Sequence, residues 1–265
     1  MAPYDFNAPD ADVILCSSDR KELRVHRLIL SLSSPVFQAM FALPQSTEPP
    51  QMPTVDLPDP SGVLEPFIQY LYPQPSPKVT DVSVWAAVYA IADKYNAEAV
   101  TELLREMLIP RFLETSPLRV YALASRWGFE EEAKIASRRT LTIDIFKNFP
   151  REDAELMGGG ACQQLYLLHL NRREAAQALV GNLSPPVKLD PTCVCSPVIW
   201  PPRMISALCQ RISLRPWLTG EELCEEICKE NYPSRCGPNC RHAARYMYPC
   251  FASLLKAISE LPQTI

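Results

Sequence analysis

Three histidines, His26, His169 and His242, and ten cysteines are the residues of this 265-residue chain whose types could do chemistry. An imidazole acts as a general base only with a nucleophile or an acid within hydrogen-bond reach. For His26 the candidate partner is Asp12, which falls on the neighbouring strand. The plainer reading is that His26 ends a hairpin and is satisfied by backbone or by a helical serine, and the residue pattern favours it. Other catalytic arrangements are missing. "FEEEAK" (129–134) is a solvated helix start rather than a carboxylate pair, its negative charge favourable at a helix N-terminus. "MGGGA" (157–161) lacks the preceding strand and the Lys-Ser/Thr of a phosphate loop and reads as flexibility at a helix start, and no Gly-x-Ser-x-Gly elbow occurs.

The cysteines offer metal chemistry instead. Cys193 and Cys195 form a Cys-x-Cys pair beside Trp200, and Cys236 and Cys240 flank a Gly-Pro-Asn turn in "SRCGPNCRH", two residues before His242. Two such pairs can supply four soft ligands to a structural zinc, and four thiolates leave no open position for a catalytic one. Neither pair has Cys-x-x-Cys spacing, so buried thiols in a small C-terminal subdomain, or a redox pair, are the competing reading. Cys224 and Cys228 stand four apart, directly after Leu223 and Ile227, and are expected in a core.

The elements that must position these residues follow from composition and period. Hydrophobic residues make up 47% and charged residues 21%, a globular balance. A formal net charge of −4, with no block of Lys/Arg, argues against a nucleic-acid surface. The first residues, "MAPYDFNAPDADVIL", show no basic and then apolar leader, and "VWAAVYAIA" (84–92) is about half the roughly 20 residues of a membrane span. The expectation is an intracellular chain of cytoplasm or nucleus, without a membrane partner.

The 27 prolines cluster at 43–62 and 183–202, where long helices are forbidden. "DVILC" (12–16) and "ELRVH" (22–26) read as two hairpin strands, and "TVDL" as a third. A helix is expected from Arg27 and another from Pro35, with Ser34 as N-cap and Pro35 at the first helical position. In the first of these, Leu28 and Leu30, and in the second, Val36 and Phe37, are expected to bury. Further helices are expected at 61–72, at 82–95 with a stripe of Val84, Val88, Ile91 and Tyr95, at 97–113, at 117–127 and 129–143 split by Gly128, and at 161–181 with Leu165, Leu168 and Leu179. The class is α+β, mostly helical.

These elements carry a family likeness. "ADVILCSSDRKELRVHRLILSLSSPVFQAMF", "TVDLPD", "FIQYLYP" and "VWAAVYAIADKYNAEAVTELLREML" resemble a BTB/POZ domain. Its pattern residues are matched by Asp12, Val13, His26, Leu30, Ser34, Phe37 and Tyr72, and by the Ala-Asp-Lys-Tyr run ending at Tyr95. "VYALASRWGFEEEAKIASRRTL", and more loosely "LYLLHLNRREAA", resemble the antiparallel helices that follow BTB domains in many fungal proteins. The domains implied are a BTB/POZ domain over 1–113, a helical extension over 114–182, and a proline- and cysteine-rich connector with a last helical segment over 183–265.

The resemblance implies binding rather than catalysis: an adaptor that takes protein partners and homodimerises, with no cofactor beyond the structural zinc weighed above. In some BTB dimers the strand Asp and the basic residue after the His line a charged groove, positions matched here by Asp12 and Arg27. The alternative is a substrate receptor for a cullin scaffold, which the stiff loop with Pro73, Pro75 and Pro77 and its lack of an acidic anchor disfavour. A zinc-stabilised scaffold, a metal-dependent enzyme and a transcription factor follow, the last without a DNA-binding motif to support it.

Overall fold

Strand alternation and proline punctuation together dictate the first half of the architecture. In the computed structural model, which describes residues 6, 8–43, 52–147, 149–182 and 253–265, the chain forms two compact units that divide between Ser116 and Pro117. In the first, β1 (Val13–Cys16) pairs antiparallel with β2 (Glu22–Val25), Val13 opposite Val25, and parallel with β3 (Thr54–Asp56), giving the order β2-β1-β3. Val13, Leu15, Leu23 and Val25 are buried while Glu22 and Arg24 face solvent, the period-two pattern of a sheet with one covered face. Arg20 takes the left-handed conformation (φ 65°) that lets the hairpin turn close.

Among its described residues this unit also has five helices: α1 (Arg27–Ser33), α2 (Pro35–Ala42), α3 (Ser61–Leu71), α4 (Val82–Lys94) and α5 (Glu98–Phe112). Ser34 starts α2 as its N-cap, accepting the Phe37 N–H at 3.1 Å, with Pro35 in the first turn. The same hydroxyl donates to the Tyr95 carbonyl at 2.5 Å, tying the α1–α2 joint to the end of α4. Tyr95 lies flat on Phe37 (centroids 4.7 Å apart, planes at 3°) and also stacks on Phe67, while its hydroxyl donates to Asp59 at 2.7 Å. Burial and the Asp59 carboxylate both push the Tyr95 hydroxyl pKa far above the usual tyrosine range.

Two charged residues set helix starts. Asp81 accepts from the Ser83 and Val84 N–H groups and caps α4. The N-cap of α3 is Pro60, which makes no side-chain cap bond; Asp19, from the hairpin turn, accepts from the Ser61 N–H (2.9 Å) and hydroxyl (2.6 Å) in its place. Hydrogen bonds from Ser17 and Ser61 hold the Asp19 carboxyl well below the usual carboxylate range. On α4 the buried stripe is Trp85, Val88, Ile91, Ala92 and Tyr95, whereas Val84, expected inside, is 40% exposed. Trp85 displaces it because the indole fills the gap to α5 and donates to the Leu104 carbonyl at 3.0 Å.

The described residues of the second unit are mostly helical: α6 (Pro117–Trp127), α7 (Glu130–Thr140), α8 (Arg151–Gly181) and helical residues 253–259. Gly128 (φ 71°) makes the turn between α6 and α7, as the sequence predicts. The helix expected over 161–181 is the second part of α8; a first part from Arg151 precedes it, and between them, at the head of "MGGGA", Gly158 (φ 77°, ψ 165°) breaks the element in two. That conformation is open to glycine and strained for other residues. Helix α6 packs on both α7 and α8, with Ala122, Ala124 and Ala136 fully buried and Tyr121 donating to the Ala161 carbonyl at 3.0 Å. Leu165 and Leu168 are buried as expected, and Leu179 is half-buried.

His169 on α8 lies against Thr140 Oγ1 at 3.0 Å and edge-on to Phe146. Burial pushes its imidazole pKa down from 6.5 to about 4, Arg172 adding to the effect and Asp144 opposing it. The unfolded chain therefore takes up this proton as pH falls through 6.5, and the folded one only near 4. Stability from this site is complete above pH 6.5 and is lost between 6.5 and 4, by on the order of 2–3 kcal/mol. In urea unfolding followed across that window, His169→Gln is expected to flatten the slope relative to the wild-type chain.

Candidate functional site

The site expected around His26, Asp12 and Arg27 forms where β2 runs into α1. His26 is the N-cap of α1, yet its side chain makes no capping bond. The cap comes from across the sheet: Asp12, exposed just before β1, accepts the Arg27 N–H through Oδ1 at 2.7 Å, while its own N–H donates to the Val25 carbonyl. A carboxylate on the first N–H groups of a helix satisfies an otherwise orphaned donor and meets the positive end of the helix dipole.

His26 has different partners from those expected. Its N–H donates to the Tyr72 hydroxyl at 3.0 Å, and its Nδ1 lies 3.0 Å from the same oxygen. Asp10 Oδ1 lies 3.4 Å from Nε2. Neither a helical serine nor Asp12 bonds the imidazole, because Asp12 is occupied at the helix end and Tyr72, at the end of α3, reaches the joint first. Tyr72 is buried, packs edge-on to Phe6 and touches the His26 ring, so the pair ties sheet, α1 and α3 together.

Asp12 and Arg27 are thus brought together, through a carboxylate–backbone bond. The Arg27 guanidinium lies 5.6 Å from the Phe41 ring centroid, within cation–π range, and its Nε is buried without a hydrogen-bond partner among the described residues. The signature residues Val13, Leu30, Ser34, Phe37 and Tyr72 are all buried.

Helix α1 itself departs from expectation. Leu30 is its one buried residue; Leu28, expected inside, is 69% exposed, and Leu32, four residues on and on the same face, is 79% exposed. Val36 is half-buried. Leu43, just past α2, is 64% exposed. The reason is geometric: only one face of α1 lies on α2 and α3, and Leu30 takes it. Sequence reading also missed Asp59 and Asp19, whose "LPDPSG" and "SSDRK" settings mark turns but not the distant helices that they serve.

Cys193, Cys195, Cys236 and Cys240, with His242, lie outside the described residues. Among the described residues no group of three or more His, Cys, Asp or Glu is placed to hold a metal ion, and no helix is long and apolar enough to cross a membrane. Cys16 is buried and unpaired.

The cap and the charge of Asp12 can be separated. Asp12→Ala is expected to lower stability in urea unfolding by about 1 kcal/mol, the usual worth of an N-terminal cap, whereas Asp12→Asn keeps an acceptor oxygen and is expected to lose only a few tenths, roughly.

No curated protein matches this chain. The family model of the BTB/POZ domain matches residues 6–111, which hold the three-stranded sheet, α1 to α4 and nearly all of α5. Residues 6–111 of this chain are thus a BTB/POZ domain, a protein-interaction module.

Proposed function

We propose that this protein is an adaptor whose BTB domain self-associates through the outer face of α1. The observation that carries the reading is the pair Leu28 and Leu32, 69% and 79% exposed, on a helix whose inner face is already packed. Burying a leucine side chain is worth about 1.5–3 kcal/mol, so a two-fold contact with two leucines from each copy has a substantial apolar driving force. Asp12 and Arg27 stand at the start of the same helix, and in this reading they give the assembled surface a charged groove for a second protein. Arg27, half-buried with its guanidinium over Phe41, supplies the positive side of that groove in this reading.

The cullin-receptor alternative draws on the loop after α3. Tyr70 donates to the Pro77 carbonyl and Arg111 to the Val79 carbonyl, so the loop with Pro73, Pro75 and Pro77 is pinned at both carbonyls. A fixed loop is a suitable docking edge, but Asp81, its one acid, is engaged as the α4 cap. The α1 reading has the stronger support. Structural zinc at Cys193, Cys195, Cys236 and Cys240 stands as a proposal on ligand type and spacing.

Sedimentation velocity over a range of concentrations tests the leading reading. The wild-type chain is expected to reach a dimer mass, and Leu28→Asp with Leu32→Asp to remain a monomer with unchanged helical circular dichroism, since both side chains already face water. A monomeric wild-type chain, or a double variant that still dimerises, contradicts it.

A further inference from the structure

Arg172, on α8, is 8% exposed and has an unusual set of partners. Its Nη1 donates to the Leu261 carbonyl at 3.0 Å and the Pro262 carbonyl at 3.1 Å, and its Nη2 to the Ile258 carbonyl at 3.0 Å. All three acceptors belong to the end of the 253–259 helix and the turn after it, where a helix leaves carbonyls without internal partners and carries its negative dipole end. Arg172 Nε is buried with no partner among the described residues. Burial, reinforced by the charge of Arg138, disfavours the cationic form of this guanidinium, so the site holds a costly buried charge whose described hydrogen bonds serve one short segment.

We propose that the surface of α7 and α8 around Ser137 and Arg172 is a receptor site for a short amphipathic helix, filled here in cis by the chain's own residues 253–265 and able to release them. The segment has the form of such a ligand. Leu254 and Ile258, four residues apart on one face, are buried, while Lys256, Ser259 and Glu260 face outward. Pro262 stops the helix over Arg172, and the Ile265 N–H reaches Ser137 Oγ at 3.4 Å. Among the described residues the segment is held by Leu254, Ile258, the Arg172 guanidinium and the Ile265 N–H, a local attachment of the kind that opens without unfolding the rest. The helix that fits carries two aliphatic residues four apart and ends its carbonyls over Arg172.

The test uses the full chain and a fluorescent synthetic peptide spanning residues 253–265. In a chain carrying Leu254→Asp and Ile258→Asp the cis copy no longer competes, so saturable anisotropy binding about tenfold or more tighter than to the wild-type chain is expected. Adding Arg172→Met to that chain is expected to weaken the peptide by about tenfold, because charge-assisted bonds to three carbonyls are lost. Peptide binding no tighter than to the wild type, or indifferent to Arg172→Met, overturns the proposal. If the opened variant loses helical circular dichroism, amide exchange on the wild-type chain decides. Exchange over 253–259 about tenfold or more faster than over 166–176 supports a releasable occupant. Equal protection makes the segment a fixed part of the fold and contradicts the proposal.

Discussion

One hydroxyl group, that of Ser34, sets the geometry on which the rest of the BTB domain depends. It accepts the Phe37 N–H that opens α2 and donates to the Tyr95 carbonyl that closes α4, and Ser34 is fully buried. An unpaired buried hydroxyl costs about 1–3 kcal/mol, so both bonds must form together. Their joint satisfaction ends α1 at Ser33 and turns the chain there. It also seats Tyr95 on Phe37, and from Tyr95 the contacts run on to Asp59, which takes the Lys94 ammonium at 2.7 Å. With the joint fixed, α1 lies on the domain by one face only, Leu30 goes in, and Leu28 with Leu32 stay out.

The other end of α1 is fixed as firmly. Asp12 caps it from the sheet, and the Tyr72 hydroxyl binds both the N–H and the Nδ1 of His26 just before it. A seven-residue helix held at both ends by buried or capped groups presents its outer face in a defined orientation. Preorganisation of this kind lowers the entropic cost of association, so a short apolar stripe can serve as a contact surface. The second unit uses the same logic differently: there a buried guanidinium on α8, rather than a hydroxyl, collects the end of another element.

Local chemistry was legible in the sequence, and distant pairing was not. The Ser34–Pro35 start of α2, the hairpin and the Gly128 turn all rest on residues whose neighbours in sequence decide their conformation. Leu28 was misplaced because α1 covers less than two helical turns, too few for a hydrophobic period to say which face is inward. Val84 was preferred to Trp85 for a related reason: at the first turn of α4 either could head the stripe, and only the Leu104 carbonyl on α5 selects the indole. The partner of His26 stands 46 residues away and that of Tyr95 stands 36 away, separations over which sequence pattern carries no signal. The glycine run does mark the start of a helix, the second part of α8, while nothing in it announces the first part from Arg151.

The central claim is that the outer face of α1 is an interaction surface between copies of this chain. Hydrogen exchange measured on the wild-type protein at low and high concentration tests it most directly, because it reads the surface itself. The account predicts that amides of Arg27–Ser33 become slower to exchange as concentration rises, while those of α4, already in the core, do not change. Exchange over α1 that is independent of concentration, in samples whose mass shows them to be associated, would place the contact elsewhere and contradict the account.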